Sequence, residues 1–141
     1  MFLQNWNTHR KEDADFEIYR PDPPTLELRQ SDEFILPYGD SPLDLEPLGR
    51  NVYINMINNA KKYVYIMTPY FVVDEAIFDA MNYAVTRGVD VKLILPGIPD
   101  KKMPYCLARS YYKDLLSIGV QVYEYIPGFV HAKTTVSDGK R

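Results

Sequence analysis

The sequence predicts an α/β domain built around a mixed, largely parallel sheet with helices on both faces. Short apolar runs alternate with segments of helical period, and proline or glycine separates them, over most of residues 36–141. This alternation is typical of strands that are connected by helices. Residues 1–35 are polar, rich in proline and without a sustained period, so they are predicted to be a connector that precedes the domain.

The first elements follow from the periods of the apolar residues. Residues 34–36 are predicted to form a short strand, and a helix follows over about residues 46–60, where apolar residues recur every four positions. Tyr63–Met67 is a continuous apolar run, as in a buried strand. Asp74 is a favourable N-cap for the next helix, and Gly88 suits the position just after the end of that helix.

The second half of the domain repeats the alternation. Residues 91–95 are predicted to be a buried strand, and residues 104–118 one helix that begins at a proline. Two strands follow, over residues 120–125 and 129–136. Asp138-Gly139 is a strong hairpin signal, and only two residues come after it. The domain is therefore expected to be truncated at its C-terminal end.

Composition narrows the classes of function. Apolar residues make up 46% and charged residues 25%, as in ordinary soluble domains. The net charge is −3 and no basic stripe is present, so no nucleic-acid partner is expected. No apolar run reaches the roughly 20 residues of a membrane span, and this piece is expected to be soluble. The single cysteine, Cys106, lies in an apolar helical pattern that predicts a buried thiol.

One motif points to phosphodiester chemistry. His131, Lys133 and Asp138 form an H-x-K-x4-D pattern, and His131 and Lys133 would project from the same face of the predicted strand. An imidazole can attack phosphorus or donate a proton near neutral pH. The lysine would supply a fixed positive charge for the phosphate oxygens. The alternative is a histidine at a strand start beside a solvated lysine, which is common for an H-x-K tripeptide alone.

The aspartate at the expected offset, the Pro-Gly before the motif and the apolar strand around it favour the functional interpretation. Asp138 lies seven residues from His131, roughly 23 Å along a strand at about 3.3 Å per residue. It is therefore predicted to support the turn and not to bond His131. His9 also begins an H-x-K tripeptide, but Phe16 stands at the aspartate offset, so His9 is predicted to be a solvated linker residue.

Four residues are predicted to line the substrate cleft. Tyr70 and Phe71 follow the end of a strand, where ligands of parallel sheets bind, although core packing is nearly as good an interpretation for Phe71. Tyr125 leads toward His131, and Gly128 would let substrate or backbone approach closely.

Other charged side chains are predicted to be structural. Glu124 is interpreted as a solvated strand residue, and Arg109 as a partner in a surface salt bridge and not a phosphate ligand. With two histidines and no carboxylate cluster, no metal and no other cofactor is expected.

Several stretches resemble bacterial cardiolipin synthases of the phospholipase D superfamily. One is residues 65–76, which include Thr68-Pro69-Tyr70-Phe71. Further stretches are residues 88–91, 95–97, 109–112, 123–125 and 127–134. The resemblance is close over about residues 50–141. It implies a bilobal phospholipase D-like fold in which two H-x-K-x4-D motifs face one active site, and His131 and Lys133 match the second motif.

The resemblance also implies a reaction. One histidine forms a phosphohistidine and the other protonates the leaving group, while a phosphatidyl group passes between two phosphatidylglycerol molecules without a metal. The expected location of the whole protein is the cell membrane, on its cytoplasmic face. Its first motif lies in an N-terminal half that these residues lack, so this piece alone is expected to be inactive. A phospholipase D-type hydrolase or nuclease, or a non-catalytic phosphate- or lipid-binding module, stays as the alternative.

Overall fold

The computed structural model describes residues 6–8, 16–20, 34–41 and 45–139. The chain divides into two compact units, residues 1–44 and residues 45–141. In the first unit, Phe16–Tyr19 forms a short 3-10 helix, and Arg20 pairs with Glu17 at 3.2 Å. His9, the predicted linker residue, lies outside the described residues.

The strand predicted at residues 34–36 is wrong. These residues belong to no strand, and the exposed fractions of Phe34, Ile35 and Leu36 are 96%, 95% and 85%. A run of three apolar residues that is stopped by Pro37 offers too few backbone groups for a stable strand pairing.

Helices and strands alternate through the second unit. They are α1 (Leu48–Asn59), β1 (Tyr63–Met67), α2 (Glu75–Thr86), β2 (Asp90–Pro96), α3 (Lys102–Ser110), α4 (Tyr112–Ser117), β3 (Gln121–Tyr125) and β4 (Thr134–Ser137). The strand order is β3-β2-β1-β4; β1, β2 and β3 run parallel, and β4 runs antiparallel to β1. The predicted fold class, an α/β domain with a mixed, largely parallel sheet, is confirmed.

Helix α2 begins and ends as its sequence predicts. The Asp74 carboxylate accepts a hydrogen bond from the backbone N–H of Ile77 at 3.0 Å, which satisfies one of the free donors of the first turn. Gly88, just beyond the C-cap, has a φ of +84°, a conformation that glycine adopts without steric cost. Both predicted signals are confirmed.

One core joins the sheet to the helices. The alternate residues of β1 and β2 are buried, and those between them are half-buried, which gives each strand an inner and an outer face. The largest fully buried side chains of this core are Ile57, Val64, Met81, Val91, Leu93, Leu95, Leu115 and Val120. The helices within residues 45–139 all contribute to it. Half-buried Tyr65 and Lys92 lie on the other face of the sheet.

The helix predicted over residues 104–118 is two helices. Helix α3 already begins at Lys102, and Tyr111 separates it from α4. The Ser110 hydroxyl donates to the Leu107 carbonyl at 2.6 Å, a side-chain bond to the preceding turn that bends helices. Leu107, in α3, is 41% exposed. The predicted burial of Cys106 is also wrong, because its side chain is exposed.

The last strand is shorter than predicted and begins later. Strand β4 starts at Thr134, so His131 and Lys133 precede it and do not lie on it. Thr134 pairs with Met67, the final residue of β1. Pro69 follows shortly and has no N–H to continue a ladder, so residues 129–133 have no partner on β1.

Candidate active site

The motif lies at the edge of the sheet where parallel strands end. The carboxyl ends of β1, β2 and β3 share this edge, because the three strands run in the same direction. Strand β4 is antiparallel and therefore begins there, with Thr134 opposite Met67. His131 and Lys133 come directly before Thr134, so they lie at the edge where α/β sheets bind ligands.

His131 and Lys133 are in contact although no strand holds them. The Lys133 Nζ atom lies 3.2 Å from Nδ1 and 3.5 Å from Nε2 of His131, and it donates to the His131 carbonyl at 3.2 Å. A lysine ammonium can only donate, so a bond to a ring nitrogen requires that nitrogen to be unprotonated. Both side chains are exposed to solvent. The pair thus offers an imidazole and a cation to one ligand.

Two aromatic rings flank the His131 imidazole. Tyr70 meets it edge to face, with ring centroids 5.9 Å apart and planes at 80°. Phe129 stacks on it, with centroids 5.9 Å apart and planes at 13°. Phe129 is 58% exposed, so the stack forms at the protein surface. These ring contacts restrict the imidazole in a segment that lacks regular backbone pairing.

Tyr70 is itself held by an aspartate. Its hydroxyl donates to Asp100, a residue after the end of β2. This bond to a carboxylate, and secondarily burial, raises the pKa of Tyr70, so the phenol stays protonated. The same bond is the main reason that the pKa of Asp100 is lowered. A neutral donor and a charged acceptor therefore connect the ends of β1 and β2.

Asp138 lies at the opposite end of β4 from His131. Its Oδ2 accepts the backbone N–H of Lys61 at 2.5 Å, and its Oδ1 accepts those of Lys62 and Tyr63 at 2.8 and 3.0 Å. These bonds favour the carboxylate and lower the pKa of Asp138, with Tyr63 contributing most. Asp138 thus joins the turn after β4 to the segment that leads into β1.

The predicted cleft residues differ in their surroundings. Phe71 is 3% exposed and meets Tyr111 edge to face at 5.7 Å, so it packs in the core. The Tyr125 carbonyl accepts the Gly97 N–H at 2.9 Å, and Tyr125 ends β3, at the far side of the sheet from β4. A Cβ atom added to Gly128 would meet no atom within 4 Å, so the space beside it is open.

Arg109 and Glu124 form a structural group. Arg109 pairs with Glu124 at 3.4 Å, as predicted, and its guanidinium also lies over the Tyr105 and Tyr112 rings. The predicted solvation of Glu124 is wrong, because it is half-buried and accepts the Tyr112 hydroxyl at 3.0 Å. Burial, followed by this bond, raises the pKa of Tyr112. The group joins α3 and α4 to β3.

Two contributors to the site were not predicted. Phe129 stands two residues before His131, and that spacing within an apolar stretch was a signal that could have indicated ring stacking. Asp100 follows β2, and its contact with Tyr70 spans 30 residues, so no local pattern could reveal it.

Neither a metal site nor a membrane span occurs in the part of the chain that the structure describes. Among these residues, no three His, Cys, Asp or Glu side chains are grouped so that they could hold a metal ion. Over the same residues, each helix is too short or too polar to cross a bilayer.

A comparison with known protein families shows to which family the chain belongs. The family described as "Cardiolipin synthase, PLD-like domain" matches residues 53–141, which include β1 to β4 and the whole motif. The chain belongs to this family. The resemblance noted in the sequence is thereby confirmed.

Two relatives of this cardiolipin synthase-like domain match almost the whole chain. An uncharacterized protein of Streptococcus mutans is 49% identical over 140 residues, which are 98% of this chain and 29% of that protein. A cardiolipin synthase of Clostridium perfringens strain SM101 is 40% identical over 139 residues, 97% of this chain and 29% of the synthase. The chain therefore spans about 29% of the length of these relatives.

A solved structure supports the fold. A phospholipase D family member, Nuc of Salmonella typhimurium, superposes with a TM-score of 0.51 at 23% identity. The match covers 63% of this chain and 57% of that one. The phospholipase D-like fold of the cardiolipin synthase-like domain is therefore shown by structure as well as by sequence.

Proposed function

We propose that this domain is part of a phosphatidyltransferase that joins two phosphatidylglycerol molecules into cardiolipin. The observation that carries the proposal is the contact between His131 and Lys133, 3.2 Å between Nζ and Nδ1, at the ligand-binding edge of a domain of the cardiolipin synthase family. The carboxyl edge of a parallel sheet is where this chemistry would be expected.

The proposed reaction needs two imidazole functions. A histidine nitrogen attacks the phosphorus of the first phosphatidylglycerol, the P–O bond to its terminal glycerol breaks, and a second histidine protonates the departing alkoxide. A hydroxyl of the second phosphatidylglycerol then attacks phosphorus, loses its proton to that base, and displaces the first histidine. His131 takes one of the two roles. Lys133 neutralises the phosphate oxygens as charge develops.

In this proposal, the second histidine lies outside the described residues. The phospholipid substrate and the membrane surface are partners of the whole protein. The chain has one H-x-K-x4-D motif, with His131, and its other histidine, His9, has Phe16 at the aspartate offset. We therefore propose that the 141-residue chain alone has no turnover. A transferase activity of the purified chain that disappears in His131→Ala would contradict this part of the proposal.

The experiment is an assay of the full-length protein with phosphatidylglycerol labelled in its phosphate. We expect labelled cardiolipin and free glycerol from the wild type, and none above background from His131→Ala. His9→Ala is the matched control and keeps full activity. Rapid denaturation at neutral to alkaline pH should recover the label on a histidine of the wild type, because the phosphorus–nitrogen bond is hydrolysed in acid.

The products separate the alternatives. Labelled phosphatidic acid in place of cardiolipin would show that water is the acceptor and that the protein is a hydrolase. Cleavage of single-stranded DNA without any lipid product would indicate a nuclease. Full synthase activity in His131→Ala would leave the motif a structural or binding element and would overturn the proposal.

A further inference from the structure

An apolar cavity opens beside the His131 site. Its volume is about 190 Å³. It lies between α1, α2, β1 and the segment that follows β1, and its apolar wall is formed mainly by Tyr53, Ile66, Phe71, Val73, Ile77 and Met81. For comparison, a dry apolar cavity of about 150 Å³ is large enough to bind benzene. The cavity therefore has room for several methylene groups.

Two of the polar side chains that line the cavity, Thr68 and Tyr70, already have partners. The Thr68 hydroxyl donates to the Tyr70 carbonyl at 3.0 Å, and the Tyr70 hydroxyl donates to Asp100. A polar ligand would have to displace these bonds, because a buried donor or acceptor without a partner is unfavourable. An apolar ligand leaves them intact and gains free energy from the surface that it buries.

Tyr70 joins the cavity to the motif. Its side chain lines the cavity, and its ring also meets the His131 ring at 5.9 Å between centroids. Only the Tyr70 ring therefore separates a phosphate bound at His131 from the cavity. An alkyl group of the same ligand can reach the cavity past that ring.

We propose that the cavity binds a linear alkyl chain of the phosphodiester substrate while the phosphate lies at His131 and Lys133. The inference rests on the proposed function, because that function places a lipid phosphate at His131. It adds a binding site for the apolar part of that lipid, formed by residues outside the motif.

The test uses soluble alkyl phosphates below their critical micelle concentration. Butyl, hexyl and octyl phosphate are titrated into the chain, and NMR follows the methyl groups of Ile66, Ile77 and Met81 together with the His131 ring. We expect the methyl signals to shift and the affinity to rise by up to about fourfold for each added methylene group until the cavity is full. Equal affinity for all three chain lengths would overturn the proposal.

A cavity-filling variant has a matched control. Val73→Phe places a ring in the cavity, so we expect the affinity for alkyl phosphates no longer to depend on the length of the alkyl chain. Val136→Phe makes the same change at a half-exposed position on the other face of the sheet and should keep the dependence. Unchanged chain-length dependence in Val73→Phe contradicts the proposal. If Val73→Phe does not fold, the methyl shifts of the wild type decide the question.

The controls also separate this inference from the proposed function. Octanol should shift the methyl signals of the cavity and leave the signals of the His131 ring unchanged. Octyl phosphate should shift both sets of signals. If octyl phosphate shifts the methyl groups and not His131, the alkyl site stands and the proposed role of His131 is contradicted. If octyl phosphate shifts His131 and not the methyl groups, the alkyl site is overturned.

Discussion

Tyr70 and His131 meet edge to face, with ring centroids 5.9 Å apart, although they come from segments that are far apart in the chain. The same tyrosine donates its hydroxyl to Asp100, after β2. One side chain therefore connects the ends of two parallel strands to the segment before β4. Since β4 begins only at Thr134, contacts of this kind replace strand pairing in positioning His131.

Removal of the Tyr70 ring should release the His131 imidazole. We expect Tyr70→Ala to shift the His131 ring proton resonances toward those of an exposed histidine, because the aromatic contact is lost. Tyr70→Phe keeps the ring and should retain most of the shift. The measurement is a proton–carbon NMR correlation spectrum of the histidine rings.

Tyr83→Ala is the control for this comparison. Tyr83 is an exposed tyrosine of α2, whose ring lies beside Arg87. It should leave the His131 resonances unchanged. If Tyr70→Ala leaves them unchanged as well, the edge-to-face contact does not persist in solution.

Asp138→Asn should lower the melting temperature at neutral pH. Asparagine tolerates the left-handed backbone of this position, where φ is +42°, so the substitution tests the carboxylate. The asparagine NH₂ would face a backbone N–H of residues 61–63 and leave donors without an acceptor. Thermal unfolding followed by circular dichroism measures the difference.

The effect of Asp138→Asn should depend on pH with a defined sign. Because the pKa of Asp138 is lowered by folding, its contribution is complete above the unfolded pKa, about 3.9, and is lost as the pH falls through the folded value. The difference in melting temperature between wild type and variant should therefore be constant near pH 7 and shrink below about pH 4. Asp79→Asn, an exposed carboxylate of α2, serves as the control. A difference that grows on acidification would contradict the assignment.

The regular elements were predictable because their signals are local. A cap at Asp74, an apolar run at Tyr63–Met67 and a glycine at residue 88 each depend on neighbours within a few positions, and each is found in the structure. The end of β1 and the start of β4 are not local. The length of β4 depends on where β1 stops offering partners, which cannot be seen from residues 129–136 alone.

The residue types of the site could be predicted from the sequence, but most of the contacts that hold these residues in place could not. The H-x-K spacing indicated that His131 and Lys133 lie together; they do, but through a direct side-chain contact and not through the pleat of a strand. The role of Asp138 at the turn followed from its distance along the chain. Its partners, residues 61–63, lie about 75 positions earlier and have no sequence signal.

Lys133→Met should reduce the transferase rate of the full-length protein. The ammonium lies at the proposed phosphate position beside His131, and loss of one such electrostatic contact typically lowers kcat by about 10²–10³. Methionine keeps the length of the side chain and removes its charge. Lys113→Met, at an exposed position of α4, is the control and should retain the wild-type rate. An unchanged kcat in Lys133→Met would exclude Lys133 from phosphate stabilisation.

Gly128→Ala should show whether residue 128 affects substrate binding without an effect on the stability of the fold. An added Cβ meets no atom within 4 Å, so we expect the free energy of unfolding to stay the same or rise by up to about 1 kcal/mol. Gly119→Ala is the contrast: its φ is +89° and its Cβ would lie 2.9 Å from Cγ1 of Val85, so it should destabilise the fold by at least about 1–2 kcal/mol. Urea denaturation measures both.

The open space beside Gly128 gives the same variant a second readout. If substrate occupies that space three residues before His131, the alanine methyl group competes with it, and the KM for phosphatidylglycerol rises while the stability does not fall. A rise in KM together with a loss of stability would instead indicate a damaged fold. If KM and stability both stay at their wild-type values, no substrate group lies close to residue 128, and the prediction that Gly128 lines the cleft is wrong.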